Sequence, residues 1–258
     1  MNKEQFETEL REKLSSAFFR VSVISETIST NTYLKEEAEK GAPEGTTVIA
    51  LSQSGGRGRR GRSFFSAEGG LYMSVLLRPT LPPDKATLIT VAAAVAVARA
   101  IEGLTGLSPK VKWVNDILLS GKKLAGILTE AALTAKGDRL SYAVLGIGIN
   151  VAKQTFPPEI SALATSLGEH LPLPPTLPTL AVACLSELEN VLSDVTSPDL
   201  IDSYRALSAV TGETVTVIGH GEEYTARVSE ILSDGSLSVV DEDGKEHILS
   251  SGEISVRL

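Results

Sequence analysis

The chain has 258 residues, 42% hydrophobic and 22% charged, with a formal net charge of -8 and an isoelectric point near 5.1. That is enough apolar chain for a sizeable globular core, and the acidic balance argues against bulk, non-specific nucleic-acid binding. Cys184 is the only cysteine, which excludes an internal disulfide and fits a reducing cytoplasm.

The N-terminal "MNKEQFETELREKLSS" is too polar for a signal peptide. Residues 3–17 read as a short amphipathic helix and "FRVSVIS" as a strand. "TNTYLKEEAEKG" reads as a helix with Ser29, Thr30 or Asn31 near its N-cap and Gly41 at its end. "TTVIALSQ" is a β-branched strand leading into "SQSGGRGRRGRSFF", and "GGLYMSVLLRP" is a strand stopped by Pro79. The run over 86–104 has helical spacing; it is Ala-rich and carries Arg99 and Glu102, so it reads as a buried helix, too short and too polar for a membrane span. "PKVKWVNDILLSGKKLAGILTEAAL" reads as strand, hairpin, strand with its turn at Ser120–Gly121. "LSYAVLGIGINV" is a buried strand. Several consecutive strands mixed with helices imply an α+β fold rather than strict βαβ alternation.

A proline-rich connector, "EHLPLPPTLPT", leads to helices over 177–194 and 198–208. From Gly212 the texture changes to five short strands, "ETVTVIG", "EEYTARVSEIL", "SLSVVDE", "KEHILS" and "EISVRL". Turns are expected at His220–Gly221, Asp234–Gly235 and Asp243–Gly244. The expected division is a first domain over 1–210 and a small all-β barrel over 211–258.

The arginine stretch is unusual in so acidic a chain. A Gly/Arg nucleic-acid tail would repeat, sit at a chain end and belong to a basic protein; this one occurs once, between two strands. Glycines let backbone N–H groups approach an anion, and arginines offer forked donors for carboxylate and phosphate. The spacing is neither that of a P-loop nor a G-x-G-x-x-G turn before a helix. The arrangement therefore points to an anion held by arginines on a loop, with Phe64 and Phe65 as an apolar wall. On a strand, Lys112 and Val114 would face one way and Trp113 the other. Asn115–Asp116 suits an Asx turn, and the glycines of "LGIGIN" either break the strand or let a ligand close to the backbone. No histidine pair among His170, His220 and His247 has metal-ligand spacing.

"STN" (Ser29–Asn31), "GRGRRGR" (Gly56–Arg62), "KWVND" (Lys112–Asp116), "KLAGILTE" (Lys123–Glu130) and "GIGIN" (Gly146–Asn150) occur in that order. Together they resemble the biotin–protein ligases, and the terminal "SGEISVRL" resembles the end of that family's SH3-like barrel. The resemblance implies a mixed-sheet catalytic domain of the class II synthetase and biotin–lipoate ligase type, followed by an SH3-like barrel. It implies a C–N bond-forming ligase that makes biotinyl-5′-AMP from biotin and ATP, then transfers biotin to a lysine of a carboxylase carrier protein. Arg57, Arg59, Lys112 and Lys123 match catalytic positions. Ser29, Thr30, Asn31, Gln53, Gly55, Gly56, Gly58, Gly126, Ile127, Gly146 and Gly148, with Arg57 and Lys123, match biotin-side positions. Arg62, Phe64, Asn115, Asp116 and Asn150, with Arg59 and Lys112, match ATP-side positions, and Mg²⁺ is implied on the phosphates, assisted by Asp116 through water rather than by direct protein ligands.

Two departures stand out: Phe64 where the pattern has Trp, and Val114 where the family usually reads Lys-Trp-Pro-Asn-Asp. Some members carry an N-terminal winged helix-turn-helix; the roughly 20 residues before the first strand are too few for one, so no operator binding is expected, and no membrane contact. The sequence leaves open monomer or sheet-edge dimer and the identity of the carrier. A lipoate or octanoate transferase, a nucleic-acid-binding module and a catalytically inactive biotin sensor are the alternatives; the arginine loop and terminal barrel favour biotin. The loop over 54–68 is expected to close over a labile adenylate and keep water out.

Overall fold

Alternating apolar residues build one sheet that is covered on both faces. The computed structural model describes residues 2–219, 222–250 and 253–256. Its first sheet has seven strands: β1 (Arg20–Thr27), β2 (Thr46–Gln53), β3 (Gly70–Leu77), β4 (Lys110–Lys112), β5 (Asp116–Leu119), β6 (Lys122–Leu133) and β7 (Leu140–Asn150). Their order is β1-β2-β3-β7-β6-β5-β4. β1 and β2 run parallel, joined by α2 (Thr30–Glu39), and the other neighbours are antiparallel.

β3 is buried along its whole length, so its two faces serve two packing layers. Leu71, Met73, Val75 and Leu77 join the main core with α1 (Lys3–Lys13), α3 (Thr87–Thr105), α5 (Leu177–Leu192) and α6 (Pro198–Leu207). On the other face Leu76 packs with Leu34 and Ala38 of α2 and with Val48 and Val144. The segment Pro83–Thr105 is long and apolar enough to cross a membrane by length and composition alone. Here α3 is core: Val91, Val95, Val97 and Ile101 are fully buried. Cys184 of α5 is equally buried, and burial pushes its thiol up to about 12. A short α4 (Leu167–His170) lies in the loop after β7.

The second sheet is an antiparallel five-stranded array of β8 (Thr214–Gly219), β9 (Glu222–Ile231), β10 (Leu237–Asp241), β11 (Glu246–Leu249) and β12 (Glu253–Val256), ordered β11-β10-β9-β8-β12. Gly235 and Gly244 take φ of 82° and 80° in its turns, the left-handed conformation those positions require. The His220–Gly221 turn lies outside the described residues, as do Ser251, Gly252, Arg257 and Leu258 of the terminal stretch.

Two local expectations differ from the structure. α1 stops at Lys13 because Leu14 turns extended, with φ of -80° and ψ of 109°. β4 is only three residues long, so Trp113 and Val114 leave the strand as a tight turn and both become buried, instead of alternating. The Trp113–Val114 peptide is cis. Trp113 Nε1 donates to the Gly235 carbonyl at 2.9 Å, and the buried Tyr204 hydroxyl donates to the Val114 carbonyl at 2.9 Å. The first bond ties the turn before β5 to the second sheet. Trp113→Phe leaves the Gly235 carbonyl unpaired, and we expect a loss of about 1–3 kcal/mol. Urea unfolding checks this: the midpoint should fall with the slope unchanged.

Candidate active site

Glycines clear one face of the first sheet. Gly146 and Gly148 are two apart in β7 and so point the same way. Gly148 pairs with Gly126 of β6 on one side and Tyr72 of β3 on the other; Gly146 pairs with Leu128 and Ser74. The bare strip is filled from above. A Cβ on Gly148 would lie 2.6 Å from the Phe64 ring and one on Gly126 3.1 Å from it; on Gly146 it would collide with the Asn31 amide. Phe64 also meets Tyr72 edge-on, ring centres 6.4 Å apart, and Lys123 Nζ stands 5.8 Å from the Phe64 ring centre.

One end of the resulting cleft is polar and uncharged. Ser29, Thr30 and Asn31, at the start of α2, are buried. Gln53 Oε1 accepts from the Thr30 backbone N–H at 2.8 Å and from its hydroxyl at 3.1 Å, while Gln53 Nε2 donates to Ser66 at 2.9 Å. Ser74 Oγ lies 2.7 Å from both Thr30 Oγ1 and Asn31 Oδ1. Each partner fixes the next, so the groups keep their orientation.

The arginine loop is a short ribbon bent over the strip. Arg57 and Ser63 form a β-bridge, Gly58 N–H donates to the Arg62 carbonyl at 2.7 Å, and Phe64 N–H donates to the Gly56 carbonyl at 2.9 Å. Arg60 and Gly61 turn the tip at φ of 54° and 75°. A Cβ on Gly56 would overlap Ser66 and the Phe64 carbonyl, so the ribbon closes only with glycine there. Arg59 donates to Asn115 Oδ1 at 3.3 Å and Arg60 to the Ile218 carbonyl at 3.1 Å. Arg57 pairs with Glu130 at 3.4 Å.

The turn before β5 supplies the remaining charged groups. Asn115 exchanges backbone and side-chain hydrogen bonds with Ile127. Lys123 Nζ pairs with Asp116 at 2.6 Å. Lys112, paired through its backbone with Asp116, lines the cleft half-buried, its ammonium without a hydrogen bond or ion pair among the described residues. Burial raises the Glu130 carboxyl, but hydrogen bonds from Asn31 and Lys35 and the charges of Lys35 and Arg57 outweigh it, so the net shift is downward. The cleft encloses about 160 Å³. Among the described residues no three His, Cys, Asp or Glu side chains cluster as metal ligands.

A family model for the biotin/lipoate A/B protein ligase family matches residues 23–150. A Mycobacterium tuberculosis protein named biotin–[acetyl-CoA-carboxylase] ligase is 32% identical over 259 residues, covering 96% of this chain and 94% of its own length. The chain belongs to the biotin/lipoate protein ligase family. The bifunctional ligase/repressor BirA of Bacillus subtilis is 47% identical over 144 residues, 55% of this chain and 44% of its own, so the match spans less than half that relative's length. The biotin protein ligase of Aquifex aeolicus, solved with biotin and ATP, superposes with a TM-score of 0.78 at 28% identity, over 92% of this chain and 98% of its own.

Most of the positions singled out by the family pattern meet in the cleft. Ser29, Thr30, Asn31, Gln53, Arg57, Gly58, Arg59, Arg62, Phe64, Lys112, Asn115, Asp116, Lys123, Gly126, Ile127, Gly146 and Gly148 line it. Three do not. Gly55 is tied to the Ile28 carbonyl, Gly56 closes the ribbon, and the buried Asn150 donates to the Thr165 carbonyl at 3.0 Å. Ile127 presents backbone, its side chain lying in the core. Sequence reasoning passed over Ser74, Glu130, Lys35 and Ile254. Period-two alternation from Gly126 would have put Glu130 on the cleft face, and helical spacing from Asn31 would have brought in Lys35. No local signal brings Ile254 of β12 to the lining.

Gly148→Val should lift Phe64 from the strip. We expect amide exchange over 56–64 to quicken about tenfold with the sheet unaffected, read by hydrogen exchange. Glu130's folded pKa is depressed, so its contribution is full above its ordinary 4.5 and is lost as pH falls through the folded value. The stability gap between wild type and Glu130→Gln should therefore shrink from about pH 6 to about pH 3 in urea titrations.

Proposed function

We propose that this chain is an ATP-dependent biotin–protein ligase that modifies a lysine of a carboxyl-carrier domain. The observation that carries the proposal is the union, in one cleft, of hydrogen-bonding amides and hydroxyls, a glycine strip roofed by the Phe64 ring, and a cluster of cations. Ser29, Thr30 and Gln53 suit a ureido ring, which has N–H donors and a carbonyl acceptor but no charge. The Phe64 ring, seated on Gly126 and Gly148, gives the cleft an apolar wall that suits an acyl chain. A dithiolane ring or a plain octanoyl chain would leave the polar end unmatched, which disfavours lipoate and octanoate.

In the first half-reaction a biotin carboxylate oxygen attacks the α-phosphorus of ATP. The new C–O–P linkage forms as the bond to pyrophosphate breaks. Two anions meet in this step, so positive charge set in place beforehand lowers the barrier. Arg57 is suited to the carboxylate, Arg59 and Lys112 to the α-phosphate, Arg62 to the departing pyrophosphate, and Lys123 to the oxygens between. Lys112 is the cation least committed to protein partners. Among the described residues Asp116 is the carboxylate that lines the cleft, and it suits an Mg²⁺ ion carried in on the phosphates, which would neutralise phosphate charge there. Asn115 hydrogen-bonds both Arg59 and the β6 backbone, and so holds that guanidinium toward the nucleotide. In the second half-reaction a neutral lysine amine attacks the acyl carbon, a C–N bond forms, AMP leaves with the C–O electron pair, and the proton lost from the nitrogen passes to the departing phosphate or to water. Arg57 and Lys123 are the cations suited to stabilising the oxyanion of that step.

The test combines the chain with ATP, Mg²⁺, biotin and a biotin-acceptor domain, with lipoate and octanoate in parallel, and weighs the acceptor by mass spectrometry. We expect one biotin added, with the rate lowered about a hundredfold or more by Arg59→Ala and by Lys112→Ala. Modification with lipoate or octanoate alone would reverse the substrate, and no pyrophosphate release with biotin would refute the adenylation step.

A further inference from the structure

Glu130 is a carboxylate on a sheet face covered by α2 and the arginine loop, its side chain only 18% exposed. Burying a charge there costs solvation that strand packing alone does not require. Its three partners come from two covering elements. Asn31 Nδ2 donates to Oε2 at 3.0 Å, Lys35 Nζ lies 3.2 Å from Oε1, and Arg57 Nη2 lies 3.4 Å from the same Oε1. Asn31 and Lys35 are four apart on α2, so one helix face presents both.

The charges in this group are unequal. Lys35, Glu130 and Arg57 sum to one positive charge. We propose that Glu130 is a positioning residue that aims Arg57 into the cleft, and that Lys35 neutralises Glu130 so that the guanidinium keeps its charge for the substrate carboxylate. The inference rests on the biotin-ligase reading of the cleft. The distances agree with this division of labour. At 3.4 Å the Arg57 contact is longer than the 2.7–2.9 Å of a strong charge-assisted hydrogen bond, so the guanidinium is oriented but not captured. Lys35 and Arg57 share one oxygen, and with Lys35 gone that oxygen would belong to Arg57 alone.

Carboxylate selectivity reads the effect directly. Biotin and its neutral amide differ only in the charged group, so the ratio of their dissociation constants reports the charge that Arg57 offers, which a general loss of packing does not change. By calorimetry, wild type should prefer biotin. Lys35→Met should cut that preference about tenfold with binding of the amide unchanged. Glu130→Gln should retain the preference but lower the turnover of pyrophosphate release about tenfold, with no rise in the KM for biotin. An unmoved ratio in Lys35→Met, or equal losses for biotin and amide in both variants, would overturn the proposal while leaving the ligase reading intact. Lys35 is only half-buried and keeps its aliphatic length as methionine, so its variant remains testable should Glu130→Gln not fold. If wild type binds neither compound, the biotin reading falls and this inference with it.

Discussion

Three side chains absent from one face of a sheet are the constraint around which the rest is arranged. Gly126, Gly146 and Gly148 sit on strands paired in register, so their missing Cβ atoms leave a continuous strip. Two separate pieces of chain come down onto it. The Asn31 amide at the start of α2 touches Gly146, and the Phe64 ring at the end of the arginine loop touches Gly148 and Gly126. A methyl group at either β7 position would displace one of them. The covering elements thus bring Asn31 and Arg57 over the strip, while Gln53, Lys112, Asp116 and Lys123 stand on the sheet strands around it.

Several cations of the cleft lean on partners that other groups share or that carry no charge. Arg57 shares a carboxylate with Lys35, Arg59 leans on a neutral amide, and Arg60 on a carbonyl of the second sheet. Lys123 is held closely, with Asp116 at 2.6 Å. These cations gather in one cleft of a chain whose net charge is -8.

Much of this was legible residue by residue. The strand over Thr46–Gln53 has the bounds its β-branched run implies, and Ser120–Gly121 turns with φ of 51° and 78° as a two-residue hairpin requires. Lys112, Asn115, Asp116 and Lys123 could be grouped because one tight turn and one hairpin bring them together over a few residues. What stayed hidden depends on how distant elements dock. Asn150 sits at a strand end that suggests ligand contact, yet its amide is committed to Thr165 fifteen residues on. Val114 looked like a strand residue facing the Lys112 side; the turn that buries it is held by Tyr204 and Gly235, far away in sequence. Nothing in the spacing of β12 indicates that Ile254 reaches the cleft.

The bond from the Trp113 indole to the Gly235 carbonyl has a thermodynamic side. It joins the turn that carries Lys112, Asn115 and Asp116 to the second sheet at a buried point, beside Val91 of α3. Free energy gained by ordering that turn is shared with the strands beyond it, and linkage is reciprocal. Occupancy of the cleft and integrity of the second sheet are therefore coupled: a molecule that holds the turn also steadies the sheet, and fraying of the sheet is felt as weaker affinity in the cleft it helps to line.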